Sequence, residues 1–188
     1  MDPAVPADLI IDRIFANFAT NGARAYGESV TELQHALQSA TFAENDGHPE
    51  ALIVSCLLHD YGHLCHDLGE DIADKGVDAK HEELGAVLLG KWFPPSVVEP
   101  GRLHVEAKRY LCTVEPEYVA DLSPASQQSF HLQGGKMSDE ERRAFESKPF
   151  FEDAVTLRRY DDMGKVPDMA TADLEYFRPM IRRVLEQE

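Results

Sequence analysis

The sequence predicts an all-α protein that forms a single domain over residues 1–188, and three observations lead to that prediction. Apolar residues recur at helical spacing in most segments of the chain. No segment of any length alternates apolar and polar residues as a half-buried strand would. Prolines, glycines and capping residues separate the helical segments at short intervals.

The first half of the chain is predicted to contain four helices. Ser29 and Glu32 have capping-box spacing and are expected to begin the second helix. The continuous apolar run ALIVSCLL predicts a buried third helix, with a loop over residues 64–77 after it. The expected spans are Pro6 to Phe18, Ser29 to Phe42, Pro49 to His63, and Asp78 to Trp92, where Pro94 and Pro95 break the pattern.

The second half continues the helical pattern. Ser138 and Glu141 form another capping-box candidate, and Gly134 and Gly135 are expected to end the helix before it. The last helix carries an apolar stripe (Tyr176, Phe177, Met180 and Ile181) that is expected to pack in the core. The expected spans are Arg102 to Cys112, Ser123 to Leu132, Ser138 to Lys148, Phe150 to Asp161, and Ala172 to Leu185.

Composition restricts the class of partner. The net charge of −16 argues against a nucleic-acid partner, because phosphate backbones are bound by clustered cations. A small anion remains possible where a few cations converge.

The chain has no apolar run of the ~20 residues that a membrane span requires. Its acidic N-terminal segment does not resemble a signal peptide, so we expect a cytoplasmic protein. Three cysteines without a CxxC pair predict neither a disulfide framework nor a thiolate zinc site.

The pair His59–Asp60 is the sharpest indication of chemistry. It follows a strongly apolar helix, where an imidazole and a carboxylate are costly to bury unless they are paired or bind a metal. Neighbouring side chains on a helix diverge by about 100°. A carboxylate at Asp60 that bridges two ions would suit that geometry.

Four further residues complete a metal-binding pattern. Taken singly, each has an ordinary explanation, such as a hydrogen-bonded core histidine or an exposed polar residue. In the order H…HD…H…H…D they form the ligand set of dinuclear HD-domain proteins, and four imidazoles with two carboxylates suit iron, manganese or zinc. The predicted metal ligands are His35, His59, Asp60, His81, His104 and Asp161.

Three other groups of side chains accompany this set. His63 lies four residues after His59, which favours a role toward substrate over a further ligand position. Lys108 and Arg158 share helical faces with His104 and Asp161, so they are expected to hold a phosphate or phosphonate, although each could instead pair with a surface carboxylate. The remaining histidines, which are expected at the surface, are His48, His66 and His131.

Together with several longer motifs, this pattern resembles the HD-domain mixed-valence diiron oxygenases of the PhnZ type, which cleave the carbon–phosphorus bond of 1-hydroxyphosphonates. The shared stretches are LQHALQSA, LLHDYGH, KHEELGA, HVEAKRYL, LSPAS, QGGKMSDEERRAFE and LRRYDDMGK. The QGG–ERR stretch distinguishes this family from ordinary HD phosphohydrolases.

The resemblance implies a site and a reaction. Two iron ions in the mixed-valence Fe2+/Fe3+ state would be held by the six ligands, with Asp60 bridging. His63, Lys108, Ser126 and Arg158 would hold the phosphonate, and Gln133 would lie near the pocket. His59, Asp60, His63 and Lys108 are the expected catalytic residues. The organophosphonate and O2 would react to give phosphate and a carboxylate, and a partner hydroxylase would supply the 1-hydroxy substrate.

One segment departs from the family pattern. Tyr26 lies one residue closer to the first metal histidine than the corresponding tyrosine of the family, whereas Glu28 keeps its distance. Both residues would face the substrate amine. Because the position of Tyr26 departs from the family pattern, free and trimethylated amines both remain possible. A quaternary ammonium favours aromatic faces and a nearby carboxylate.

The ligand pattern is compatible with three other functions. A metal-dependent phosphohydrolase for a nucleotide or phosphodiester would use the same ligands and cations, but the QGG–ERR stretch disfavours it. A polyol-cleaving enzyme like myo-inositol oxygenase would not need the Lys108–Arg158 pair. A non-enzymatic HD-like regulatory module is disfavoured because all six ligands are present.

Overall fold

The computed structural model describes residues 5–26, 29–65 and 80–187. In these ranges the backbone is helical, and its one β-type pairing is an isolated bridge between Ala25 and Thr31. The all-α prediction is therefore confirmed. The helices are α1 (Ala7–Asn21), α2 (Glu32–Asn45), α3 (Glu50–Leu58), a 3₁₀ helix (Tyr61–Cys65), α4 (His81–Leu89), α5 (Pro95–Val114), α6 (Tyr118–Asp121), α7 (Pro124–Leu132), α8 (Asp139–Glu146), α9 (Phe151–Met163) and α10 (Leu174–Glu186).

Helix packing brings the predicted ligand helices together. α5 packs against α9, α3 and α4, while α2 packs against α3 and α9. α1 and α10 pack on each other, and α10 also contacts α3. The main apolar core between them includes Ile11, Ile14, Leu57, Phe177 and Ile181, all essentially inaccessible to solvent. Each such side chain contributes about 1.5–3 kcal/mol on burial. None of the helices in the described ranges is both long and apolar enough to span a membrane.

The start of α2 differs from the prediction. Its N-cap is Thr31, not Ser29, and Thr31 forms a complete capping box with Gln34. Val30 is buried, so the chain is anchored in the core before it turns into the helix. The predicted cap was therefore two residues too early.

The third helix is shorter than predicted. α3 ends at Leu58, with His59 as its C-cap, and the chain continues as the 3₁₀ helix Tyr61–Cys65. Gly62 explains this change, because a Cβ there would lie 2.0 Å from the carbonyl oxygen of His81. The tight approach of the 3₁₀ helix to α4 thus sets the position of His81, and the α-helical spacing expected between His59 and His63 does not hold.

Among the later helices, the largest difference from the prediction is at α5. α5 begins at Pro95, seven residues before the predicted start, because proline is well suited to the first helical position. The predicted capping box of Ser138 and Glu141 is confirmed, Ser123 is the N-cap of α7, and Gly134 and Gly135 both have positive φ. α4 starts at His81 with Lys80 as its N-cap, and the predicted cap Asp78 lies outside the described residues.

The C-terminal stripe is only partly buried. Phe177, Met180 and Ile181 lie in the core as expected. Tyr176 is exposed, and its hydroxyl donates to Glu44 Oε1.

We expect Gly62→Ala to destabilise the protein by about 1–3 kcal/mol, because the added methyl group would displace the backbone of His81. Metal affinity should fall as well. Thermal unfolding and metal analysis would measure both effects. Val87→Ala is the control, because Val87 is exposed on α4, the helix that begins at His81. It should change stability by less than about 0.5 kcal/mol. Equal stability of the two variants would contradict the role given to Gly62.

Candidate metal and anion site

The structure brings the six predicted ligands into one buried cluster. They come from five places in the chain that are far apart in sequence. His35 lies on α2, His104 on α5 and Asp161 on α9, whereas His59 and Asp60 follow the end of α3 and His81 begins α4. At most 9% of any of these residues is exposed.

The Asp60 carboxylate lies between two pairs of imidazoles. Its Oδ2 is 3.3 Å from His59 Nε2 and 3.5 Å from His35 Nε2. Its Oδ1 is 3.3 Å from His81 Nε2 and 3.6 Å from His104 Nε2. Two groups with metal-ligand spacing result, His35–His59–Asp60 and Asp60–His81–His104. They share the Asp60 carboxylate, which offers one oxygen to each group.

The proton positions of the imidazoles follow from their outer hydrogen bonds. Nδ1 of His35 donates to the Gly164 carbonyl at 2.9 Å, that of His59 to Cys56 at 2.8 Å, and that of His104 to Gly101 at 2.6 Å. A carbonyl only accepts, so each ring carries its proton on Nδ1. The Nε2 atoms of these rings therefore face the cluster. The Nε2 atoms of His35 and His59 lie 3.2 Å apart, and those of His81 and His104 lie 3.1 Å apart.

This arrangement fits bound cations. No group of the described residues donates a hydrogen bond to either oxygen of Asp60, although both oxygens are buried. A buried carboxylate surrounded by lone pairs is costly without a positive charge. Carbonyl partners on the outer nitrogens are also what orients metal-binding histidines.

The pKa shifts of the cluster show the same preference for positive charge beside Asp60. Burial lowers the pKa of His59, but the Asp60 carboxylate outweighs burial and raises that pKa to about 9. Burial raises the pKa of Asp60, yet His59 and its neighbours hold it well below its usual range. Burial keeps the pKa of His104 well below normal, so this ring stays neutral.

Tyr26 covers one side of the cluster. Its ring stacks on His35 with centroids 3.8 Å apart, and its hydroxyl donates to Asp161 Oδ1 at 3.3 Å. Burial, with the nearby Asp161 and Asp60, raises the pKa of Tyr26 well above its ordinary value, so the phenol stays protonated. The other predicted residue of this segment, Glu28, lies outside the described residues.

Arg158 is fixed by two carboxylates. It donates to Asp161 Oδ2 at 2.5 Å and forms close contacts with Asp162, which also accepts from the Tyr118 hydroxyl. Burial raises the pKa of Asp161, but Arg158 and Lys165 hold it well below its usual range. The carboxylate partners of Arg158 are therefore Asp161, itself a predicted ligand, and the neighbouring Asp162.

Two lysines donate hydrogen bonds to serines that lie one helical turn apart on α7. The buried Lys108 donates to Ser129 Oγ at 2.7 Å, and Lys165 donates to Ser126 Oγ at 3.2 Å. Burial, with the nearby Arg158, lowers the pKa of Lys108 to about 7. With Arg158, these lysines place three cationic side chains beside the cluster, an arrangement suited to an oxyanion.

His63 and Gln133 are the two other predicted substrate residues within the described ranges. The ring of His63 stacks on His81 with centroids 4.0 Å apart. Gln133 ends α7, and its buried Oε1 accepts no hydrogen bond from the described residues. Of the histidines expected at the surface, His131 is exposed, whereas His48 is half-buried and bonds to the Tyr160 hydroxyl at 2.8 Å. His66 lies outside the described residues.

The QGG–ERR stretch is attached to α5. Arg109 donates to the Gly135 carbonyl at 2.9 Å and to Glu141 Oε1 at 2.8 Å. The Met137 N–H donates to Thr113 Oγ1 at 2.8 Å. This stretch therefore holds the end of α7 against the helix that carries His104 and Lys108.

Sequence reasoning missed four polar residues of this region. Asp162 follows Arg158 by four positions, a spacing that predicts contact on a helix. Lys165 lies beyond the helix end, and Tyr118 and Ser129 lie on helices without a local signal of contact. The missed residues are Tyr118, Ser129, Asp162 and Lys165.

With this geometry established, comparison with known proteins gives a consistent result. The chain is 43% identical over 179 residues to a glycine-betaine-forming [1-hydroxy-2-(trimethylamino)ethyl]phosphonate dioxygenase of Leisingera caerulea, covering 95% of this chain and 91% of the relative. It is 41% identical over 180 residues to a hydroxymethylphosphonate dioxygenase of Gimesia maris, covering 94% and 88%. It belongs to the phosphonate dioxygenase family.

A third relative carries no functional name. This uncharacterised protein of Acanthamoeba polyphaga mimivirus is 36% identical over 168 residues, which cover 88% of this chain and 77% of the relative. No family model matches the chain. Membership of the phosphonate dioxygenases confirms the resemblance found in the sequence and does not favour the phosphohydrolase alternative.

We expect Asp60→Asn to abolish metal binding, because the variant removes the one carboxylate that faces both pairs of imidazoles. Metal analysis after reconstitution and dialysis would measure the loss. Asp121→Asn, at an exposed position, is the matched control and should bind metal as the wild type does. Full metal content in Asp60→Asn would contradict a shared carboxylate.

We expect Lys108→Met to stabilise the fold and to weaken anion binding. A buried ammonium whose pKa is lowered to about 7 disfavours folding most below pH 7. That cost declines as pH rises toward the unfolded pKa of about 10.4, since the folded protein then loses its proton first. The free energy of unfolding of Lys108→Met should exceed that of the wild type by about 1–4 kcal/mol at pH ~6. The difference should be smaller at pH ~9.

Chemical denaturation at the two pH values would measure this difference, with the exposed Lys91→Met as control. A gain that grows with pH would contradict the assigned direction of the Lys108 shift.

Proposed function

We propose that this chain is an O2-dependent diiron oxygenase that cleaves the carbon–phosphorus bond of a 1-hydroxyphosphonate and acts as one HD-type domain. The substrate is 1-hydroxy-2-aminoethylphosphonate or its N-trimethyl analogue. The products are phosphate and glycine or glycine betaine. Hydroxymethylphosphonate, named for the Gimesia maris relative, is a further candidate.

The observation that carries this proposal is the position of Asp60. One carboxylate faces two separate pairs of imidazoles, all buried, with cationic side chains beside one end. The proposed ligands of two ions are His35, His59, Asp60, His81, His104 and Asp161. Asp161 Oδ1 lies 3.6 Å from His35 Nε2, which supports a role for Asp161 as a ligand of the ion that His35 and His59 would hold.

The donor set supports iron. Four imidazoles and two carboxylates suit iron, manganese or zinc, and an oxygenase needs a metal that changes its oxidation state, which zinc does not. The Fe2+/Fe3+ state is taken from the family resemblance. Such a metal pair would supply the electron transfers that allow the substrate to react with O2.

The residues of the chain perform the other tasks. Lys108, Arg158 and Ser126 bind the phosphonate oxygens and thereby fix the position of C1. His63, stacked on His81, lies at the edge of the site and serves as a further donor to the phosphonate. Gln133 offers an acceptor without a partner among the described residues. Tyr26 keeps its proton and shields Asp161 from water.

The substrate tail distinguishes the candidate substrates. Tyr26 is one contact for the amine, and Glu28 is the proposed carboxylate partner. A hydroxylase that adds the 1-hydroxyl group is the functional partner that the reaction requires, because an unhydroxylated phosphonate lacks the oxygen that becomes part of the carboxylate product.

The test measures O2 uptake and phosphate release with each of the three hydroxyphosphonates. We expect one phosphate for each O2 consumed, and no phosphate without O2. Two irons per chain and a mixed-valence electron spin signal should accompany activity. The preferred substrate is the one with the highest kcat/KM.

A hydrolytic reaction would not depend on O2. A metal-dependent phosphohydrolase would release phosphate at an undiminished rate without O2, and that outcome would overturn the proposal. Asp60→Asn should lose both activity and iron, whereas Asp121→Asn should keep both.

A further inference from the structure

The backbone around Lys165 is held rigidly against α2. The Gly164 carbonyl accepts from His35 Nδ1 at 2.9 Å. On the other side, the buried amide of Gln38 donates to the Val166 carbonyl and accepts from its N–H, both at 2.9 Å. Lys165 lies between these attachments, so its side chain leaves the backbone at a position fixed relative to the metal ligands.

The Lys165 ammonium points to the cationic end of the site. Only 13% of its side chain is exposed. Its Nζ donates to Ser126 Oγ at 3.2 Å and lies 3.8 Å from Asp162 Oδ1 and 4.0 Å from Asp161 Oδ1. Arg158 forms the closer contacts with both carboxylates, so Lys165 is placed near them without a short ion pair of its own.

The charges at this end do not balance. Three cationic side chains, Lys108, Arg158 and Lys165, face two carboxylates, Asp161 and Asp162. Because the pKa of Lys108 is lowered to about 7, this lysine gains its full charge when an anion binds beside it. If Asp161 serves a metal ion, only Asp162 remains to offset three positive charges. Buried charge of one sign is costly until an opposite charge arrives. A phosphonate with two negative charges matches the surplus of two.

We propose that Lys165 is a third cationic ligand of the substrate phosphonate, and that it makes the site prefer a doubly charged phosphonate over a singly charged anion of similar size. The inference rests on the proposed function. Ser126 Oγ accepts from the ammonium, and a phosphonate oxygen would share or replace that contact. Asp162 lies beside both Lys165 and Arg158 and would help to position them.

The test measures anion binding without turnover. Methylphosphonate and methanesulfonate have similar shapes but differ in charge at a pH above the second ionisation of the phosphonate. Calorimetry on the iron-loaded enzyme without O2 should show that Lys165→Met weakens methylphosphonate binding by about 10- to 100-fold, the usual range for a charge-assisted hydrogen bond. Methanesulfonate binding should change less. Lys165→Arg should recover most of the affinity.

Iron content and thermal unfolding separate binding from folding. Lys165→Met should keep its iron, and the exposed control Lys91→Met should match the wild type throughout. Equal methylphosphonate affinity in Lys165→Met and Lys91→Met would overturn the inference. So would an equal loss of affinity for both anions.

Turnover separates this inference from the proposed function. In an active enzyme, Lys165→Met should raise KM for hydroxymethylphosphonate more than it lowers kcat. If the wild type releases no phosphate from any hydroxyphosphonate, the oxygenase proposal fails, while the calorimetric comparison still decides the role of Lys165.

Discussion

The fold is organised around one buried carboxylate. Asp60 accepts no hydrogen bond from the described residues, and four imidazole nitrogens approach it from α2, the end of α3, α4 and α5. Such a charge requires positive charge nearby, supplied by a proton or by metal ions. The helices that carry these groups are the ones that pack on each other at the centre. The need for positive charge beside the buried Asp60 carboxylate thus links the packing of the helices to the chemistry of the site.

The anion end depends on the same helices. α5 carries His104 and Lys108 one turn apart, and α9 carries Arg158, Asp161 and Asp162 on adjoining turns. Each helix therefore contributes both to the cluster and to the cationic side chains. The distance between a bound metal and a bound anion is set by helix geometry, and a rigid separation of that kind favours a single orientation of a small substrate.

The sequence alone predicted the helical class and the residues that cluster around Asp60, because ligand types in a fixed order carry their own signal. It also placed Lys108 and Arg158 beside the ligands, because one helical turn separates them from His104 and Asp161. It did not predict the end of α3, where a tertiary contact at Gly62 decides the geometry. Lys165 and Tyr118 were missed because their contacts join segments 39 to 44 residues apart, and pairings at that distance leave no local pattern.

The segment after α9 has a consequence for biosynthesis. The Gly164 carbonyl orients His35, and Asp161 completes the group around it, yet these residues are synthesised more than 120 positions after His35. A nascent chain that has just exposed the His59–Asp60 pair lacks these parts. The cluster around Asp60 therefore takes its final shape only after Gly164 has left the ribosome. Binding of a metal ion by all six predicted ligands would have to follow the synthesis of α9.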